Sequence, residues 1–291
     1  MVHIPGTQLV EIITLRGDPA MVVVRTDHHP YSVPLLEFEN VTVVKGDKKV
    51  LDALSVMIQD GENIAILGPN GSGKSSFIKA ITREYYPVVT EDPVTFRIRG
   101  RDVWDVFDLR STLGIVSPDL QYTFMRDLTG REVILSGFFS SIGLFHHNVT
   151  PAMEQKTDEM MAFLGIDHLR YQHMTTMSSG EARRFLIGRA LVPAPSTLIL
   201  EEPTSSLDLH ALYTFRQTLR KIARSGTGII LVTHNLHDII PEITRVILMK
   251  DGRFCRDGPK AEILTDEHIG MMFDVPLRVR EEDGYYYATG Y

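Results

Sequence analysis

The run Gly68-Pro69-Asn70-Gly71-Ser72-Gly73-Lys74-Ser75-Ser76 has the order G-x-x-x-x-G-K-[ST]. Glycines let a backbone bend until several N–H groups converge on one point, which suits a group rich in anionic oxygens. A helix beginning at the end of the loop adds its positive end to the same point. In such a loop the lysine reaches the β- and γ-phosphates of a nucleotide and the adjacent hydroxyl ligates magnesium. Lys74 and Ser75 are expected to take those roles. A nucleotide with Mg2+ is the expected ligand, cradled by Gly68, Asn70, Gly71, Ser72, Gly73, Lys74, Ser75 and Ser76.

A phosphate loop alone does not separate a kinase from a GTPase or a transport ATPase. Four further segments carry groups with chemistry: Met177-Ser178-Ser179-Gly180-Glu181, Glu201-Glu202-Pro203 after the apolar run Leu198–Leu200, Ser206-Leu207-Asp208, and Thr233-His234. Each has a plain reading. Ser178 three residues before Glu181 is a helix N-cap pattern. Glu202 reads as a solvated strand-end carboxylate and His234 as a strand cap.

The elements that must position these groups follow from periodicity. Asn63–Leu67 is short, almost wholly apolar and followed by glycine, as suits a strand buried on both faces. Thr197–Leu200 and Gly228–Thr233 repeat the pattern, while Leu36–Val44 and Val50–Ile58 read as further strands. Ser76–Thr82 is a plausible helix; Gly180–Val192 and Leu209–Ala223 place apolar residues three and four apart, one helix face each. Val246–Lys250, Asp251-Gly252 and the segment from Arg253 read as a hairpin with a tight turn. The alternation predicts an α/β fold: a P-loop NTPase core with a mostly parallel sheet, an antiparallel β subdomain, and an inserted helical subdomain at about 119–176. The expected domains are an extension at 1–34, the nucleotide-binding unit at 35–265 and a C-terminal extension at 266–291, read as packing.

The bulk numbers restrict the partners. With 43% hydrophobic and 23% charged residues in 291, the chain can bury a sizeable core. A net charge of −7 argues against a broad nucleic-acid surface. The single cysteine, Cys255, excludes an internal disulfide, favours a reducing compartment and is expected to be a small buried hydrophobe. No apolar run is long enough to span a bilayer and the N-terminus lacks the order of a secretory signal. The expected location is cytoplasmic, or peripheral on the inner face of the plasma membrane through another protein. The pairs His28-His29 and His146-His147 lack partner ligands and make weak metal candidates.

In this order the segments resemble the ATP-binding-cassette (ABC) ATPases over roughly residues 35–265: phosphate loop, signature motif, acidic strand, D-loop and switch histidine. Leu135–Gly143 and the tail Ile263–Val279 are most similar to the cassettes of iron-chelate and molybdate importers and to their soluble single-cassette cousins. The resemblance implies that Glu202 is the general base toward water and that His234 contacts the γ-phosphate. It implies that Ser178, Ser179, Gly180, Glu181 and Asp208 face a nucleotide on a second subunit, so that two chains sandwich two ATP molecules as a homodimer. Separate membrane-spanning transporter subunits are the implied partners, with Phe138, Phe139, Leu144 and Phe145 as candidate contacts or, in the preferred reading, subdomain core.

Four positions depart from the family pattern. Glu201 stands where Asp is usual, and would reach magnesium through water. Met177 and Ser179 replace the usual leucine and first glycine of the signature. Lys45 falls where an aromatic residue usually stacks on adenine. Pro118 takes the place of the usual Q-loop glutamine, with Gln121 three residues on. The first reading is therefore the energising subunit of an importer; the alternative is a soluble cassette that switches with ATP on other proteins or nucleic acid. A small-molecule kinase explains neither Ser178 and Gly180 nor His234.

Overall fold

The computed structural model describes residues 33–105, 108–109, 112–144 and 146–291. The expected extension at 1–34, with His28 and His29, falls outside them except for its last two residues, as does Phe145. In chain order, β1 (Leu36–Lys45) and β2 (Lys48–Ile58) form an antiparallel hairpin closed at Lys45 and Lys48. β3 (Asn63–Leu67) and α1 (Lys74–Ile81) follow, then β4 (Thr95–Ile98), which joins β1 to complete a three-stranded antiparallel sheet. β5 (Leu113–Val116) leads into three helices, α2 (Pro118–Phe124), α3 (Gly130–Ser136) and α4 (Pro151–Leu164). Next come α5 (Ser179–Leu191), β6 (Thr197–Glu201), α6 (Leu209–Arg224), β7 (Gly228–Thr233) and the hairpin β8 (Arg245–Lys250) and β9 (Arg253–Pro259). The chain ends with α7 (Lys260–Ile263), α8 (Asp266–Phe273) and the hairpin β10 (Arg278–Glu282) and β11 (Tyr285–Thr289).

The main sheet has six strands in the order β5-β6-β7-β3-β8-β9, parallel except for the edge strand β9. Its inner strands are buried on both faces, which explains their unbroken apolar runs. Successive residues alternate between two cores, as the pleat requires. Ala65, Leu67, Leu198, Leu200 and Leu231 face one core, which takes in Phe185 of α5 together with Val133 and Met161 from the helices between β5 and α5. Ile64, Ile66, Ile199, Ile230 and Val232 face the other, shared with Phe77 of α1 and the antiparallel sheet. This is the α/β fold expected, with a mostly parallel sheet, an antiparallel sheet and helices.

Local signals explain the helix starts. Thr129 caps α3 in a reciprocal pair with Glu132, and Thr150 caps α4 just before Pro151. At Asp251-Gly252 both residues have positive φ (50° and 77°), the two-residue turn whose twist matches the flanking strands. Cys255 is exposed, contrary to the expectation of a buried hydrophobe, because it lies on the outer edge strand β9. Phe138 packs against the core, and the Phe139 ring stacks on His147 at 4.3 Å. The tail packs on the rest of the fold: Ile269, Met272 and Tyr286 join the core, and its hairpin sits on the turn Leu236–Asp238, where the Arg216 guanidinium lies 4.8 Å from the Tyr285 ring and donates to the His237 carbonyl.

Phe185 lies fully buried where α5 meets the helices between β5 and α5. Phe185→Ala is expected to cost about 3–5 kcal/mol of unfolding free energy, read from the midpoint of a urea titration at unchanged slope.

Candidate functional site

The sheet register builds the site. Leu67 pairs with Thr233, and Glu201 with Val232, so the C-terminal ends of β3, β6 and β7 finish within one residue of one another. The next residues in the chain are Gly68, Glu202 and His234, and they converge outside the carboxyl ends of parallel strands, where ligands bind in such sheets. β8 runs on the other side of β3, which brings Met249 against the loop: a Cβ on Gly68 would lie 2.0 Å from the Met249 carbonyl oxygen. Gly73 sits at φ 106°, and a Cβ there would lie 2.8 Å from the Val50 carbonyl. The glycine-rich loop thus threads a gap between β2 and β8 that no side chain could share. Gly252 of the hairpin turn donates its N–H to the Ser72 carbonyl at 2.8 Å, pinning the loop from that side.

Lys74, the first residue of α1, is buried and curls back to donate to the carbonyls of Gly68 (2.8 Å) and Pro69 (2.9 Å). Its Nζ lies 3.5 Å from Glu202 Oε1. Burial pulls the Lys74 pKa down and the Glu202 charge opposes it. The other Glu202 oxygen lies against His234 Nδ1, and both atoms are buried without a hydrogen-bond partner. Glu202 itself holds a left-handed backbone (φ 44°), kept in place by its N–H bond to the Val232 carbonyl at 2.8 Å. Burial pushes the Glu201 pKa up, with the Ser75 hydroxyl working against that and Asp119 and Glu202 adding to it.

Lys74 and Glu202 open on a cleft of about 480 Å³, in the range of ligand sites, whereas Glu201 and His234 are not part of its lining. Asn70, Gly71, Gly73, Lys74, Ser75, Ser76 and Glu202 line it, whereas Gly68 and Ser72 lie beneath, buried. Lys45 is exposed at the end of β1 and does not line it. Lys48, Lys49 and Val50, just across the same hairpin, do, along with Asp251 and Gly252. Sequence reasoning passed over these five; the lysine cluster flanking Gly46 was the available signal, and its register across the hairpin was the missing fact.

The signature residues do not join this cleft. Ser178 is the N-cap of α5 in a capping box with Glu181: the Ser178 N–H and hydroxyl each donate to Glu181 Oε2 at 2.8 Å, and these bonds hold the Glu181 carboxyl below its usual pKa. Asp208 caps α6, accepting from the Ala211 N–H at 2.8 Å. The two helix starts adjoin, since a Cβ on Gly180 would lie 3.0 Å from Ala211 Cβ. Ser178, Ser179 and Asp208 are all exposed on this edge, with Leu209 85% exposed beside them. Gln121, on α2, accepts from Arg183 of α5 at 2.7 Å, and that guanidinium also donates to the Pro203 carbonyl next to Glu202.

With this geometry in view, comparison with known proteins places the chain. Residues 51–205 match the ABC transporter family. The chain is 31% identical over 249 residues to the uncharacterized ABC transporter ATP-binding protein YlmA of Bacillus subtilis, covering 84% of this chain and 93% of that protein. It is 28% identical over 262 residues to the hemin import ATP-binding protein HmuV of Bradyrhizobium diazoefficiens, covering 87% and 94%. Its fold matches the ADP conformation of MJ1267, an ATP-binding cassette of an ABC transporter, with a TM-score of 0.70 at 22% identity over 83% of this chain and 98% of that one. The chain belongs to the ABC transporter family, as an ATP-binding and ATP-hydrolysing cassette.

Two expectations test the site. Lys74→Ala should weaken ATP binding about 100-fold or more, since it removes a charged donor worth about 3 kcal/mol; titration with a fluorescent ATP analogue measures it. Glu201→Gln should raise the thermal midpoint of the nucleotide-free protein near neutral pH. A folded-state pKa raised by burial means that the cost is absent below the ordinary carboxylate range and grows as pH rises through the elevated value. The gain should therefore shrink as melts are repeated toward pH 4.

Proposed function

We propose that this cassette energises a membrane importer as one half of a nucleotide-sandwich homodimer, located at the inner face of the membrane. The observation that carries this reading is the division of the polar groups. Loop, lysine and Glu202 share one cleft, while the signature residues and Asp208 stand together on a separate exposed edge. A group of phosphate-binding type with no phosphate site in its own chain is suited to a site on a second copy. Exposed Leu209 and Tyr213 on the same helix start supply apolar surface for such a contact.

In the closed pair, Gly68, Asn70 to Ser76 and Lys74 hold the phosphates of ATP. Ser178, Ser179 and Gly180 of the other copy, oriented by Glu181, complete the shell from the opposite side, with Asp208 at the seam. Glu202 polarises the attacking water, and His234 orients Glu202 and meets the γ-phosphate. The donor set also fits Mg2+: the Ser75 hydroxyl adjoins Glu201, a carboxyl whose charge burial disfavours and a cation would favour. Ser75 would hold the ion directly and Glu201 through water, and the ion would supply charge neutralisation on the phosphates. Catalysis is otherwise positioning and preorganised charge. Lys45 stays a base-stacking candidate only if the β1–β2 hairpin turns it inward; Lys48 and Lys49 are the cations that now face the cleft.

Relatives point to import: the HmuV proteins carry hemin import in their names. The membrane-spanning subunits are separate proteins in this reading; among the described residues no helix is long and apolar enough to cross a membrane.

The ATPase rate per subunit should rise with protein concentration over a range of about 100-fold. Glu202→Gln should abolish turnover, keep ATP affinity, and elute as a dimer from a size-exclusion column run with ATP. A rate independent of concentration, with a monomeric Glu202→Gln protein, would sink the sandwich.

A further inference from the structure

Asp238 is a buried carboxylate that the hydrolytic reading does not use. It ends the turn Leu236–Asp238, just beyond His234, in the interior between two loops. A carboxylate in such a place is costly unless both oxygens find donors. Here each does: one donor lies in the loop after β6 and the other is the last residue of β7. Thr204 Oγ1 donates to Oδ1 at 2.5 Å; Thr204 stands two residues after Glu202. Thr233 Oγ1 donates to Oδ2; Thr233 immediately precedes His234. Thr233 Oγ1 also accepts the Asn235 N–H at 3.0 Å, so this hydroxyl uses its one proton toward Asp238 and one of its two acceptor sites toward the backbone.

We infer that Asp238 is a positioning residue for hydrolysis: it ties the loop after β6 to the loop after β7 and so sets where Glu202 and His234 meet. The inference rests on the reading of those two residues as the hydrolytic pair. The reason is where the sheet stops. The ladder between β6 and β7 ends at Glu201 and Val232, with one more backbone bond from the Glu202 N–H. Beyond it, Glu202 sits in a left-handed backbone and the His234 side chain is 35% exposed. Neither side chain is held by packing alone. Asp238 bonds to both flanking loops at once, through two short side chains that are themselves buried. Two other charged or titratable groups face it: the His237 Nε2 lies 3.4 Å from Oδ1, and the Arg183 guanidinium, which also grips the Pro203 carbonyl, acts on it through space. The whole polar cluster thus braces the backbone on either side of Glu202.

The test uses the full chain carrying Asp238→Ala, Asp238→Asn or Thr204→Val, with His234→Ala as a control. Turnover and KM come from MgATP hydrolysis, affinity from a fluorescent ATP analogue, and folding from thermal melts. Asp238→Ala should lower kcat about tenfold or more while the analogue Kd stays within about twofold, since a misplacement near 1 Å has costs of that order. Asp238→Asn, which keeps an oxygen for Thr204 and an amide donor for Thr233, should recover kcat to within about threefold of wild type. A group that only stabilises the turn would lower the melting midpoint and leave kcat intact. A kcat for Asp238→Ala within about twofold of wild type, a Kd that rises in step as kcat falls, or no recovery by Asn overturns the inference. If Asp238→Ala loses its cooperative melt, Thr204→Val is read by the same kcat and Kd criteria. A His234→Ala protein that hydrolyses at the wild-type rate would instead remove the reading of the pair itself.

Discussion

Parallel register is the constraint on which the rest of the molecule depends. β3, β6, β7 and β8 run side by side with no offset between Leu67 and Thr233 or between Glu201 and Val232. One residue past that level, three loops leave the sheet together and carry a lysine, two carboxylates and a histidine. A slip of one residue in any of these pairings would turn a side chain from one core to the other, since successive positions face opposite cores. The burial of both faces therefore protects the site's geometry, although no core residue touches the cleft. The glycine loop depends on the same spacing: it passes between the Val50 and Met249 carbonyls with no room for a Cβ at Gly68 or Gly73.

The helical segment between β5 and α5 connects to this level through side chains instead of through the sheet. Arg183 is the joint. It reaches from the signature helix to Gln121 on α2 and to the carbonyls of Pro203 and Ser205 beside Glu202. A shift of α2 against α5 is thereby transmitted to the backbone that presents Glu202. Where the family pattern has a glutamine, this chain has Pro118, which fits the first turn of α2 because Ser117 caps it. Gln121 lies one turn further along the same helix.

Much of this was legible in the sequence, and what was missed has a physical reason. The buried strands and the loop between them were readable because parallel strands covered on both faces must be apolar throughout, and the phosphate loop has few alternative sequences. The capping role of Ser178 and Glu181 was equally plain, since it depends on residues three apart. β4 and β5 are four residues each and carry too little periodicity to stand out. The C-terminal hairpin was read as an extension because its partner, the turn after His234, is distant in sequence; only the fold brings Tyr285 to Arg216. Lys45 was singled out by its place in a family pattern, while the cleft takes Lys48 and Lys49, because a hairpin decides by register which of its cations face inward.

The electrostatics of the site follow from the same geometry. A buried lysine, a carboxylate 3.5 Å away and a second carboxyl raised by burial make an arrangement that folding alone does not favour. Lys74 meets its own loop carbonyls and the single charge of Glu202, and Glu201 adds a second carboxyl beside them. Such a cluster is stabilised by an incoming group that brings both anionic oxygens for the lysine and positive charge for the acids. MgATP brings both. The residues that weaken the isolated chain are therefore those through which nucleotide binding gains most, and the strained backbone at Glu202 belongs with them. In the proposed sandwich, the free energy released on filling the cleft is what would drive closure, acting on the loops that Arg183 and Asp238 bridge.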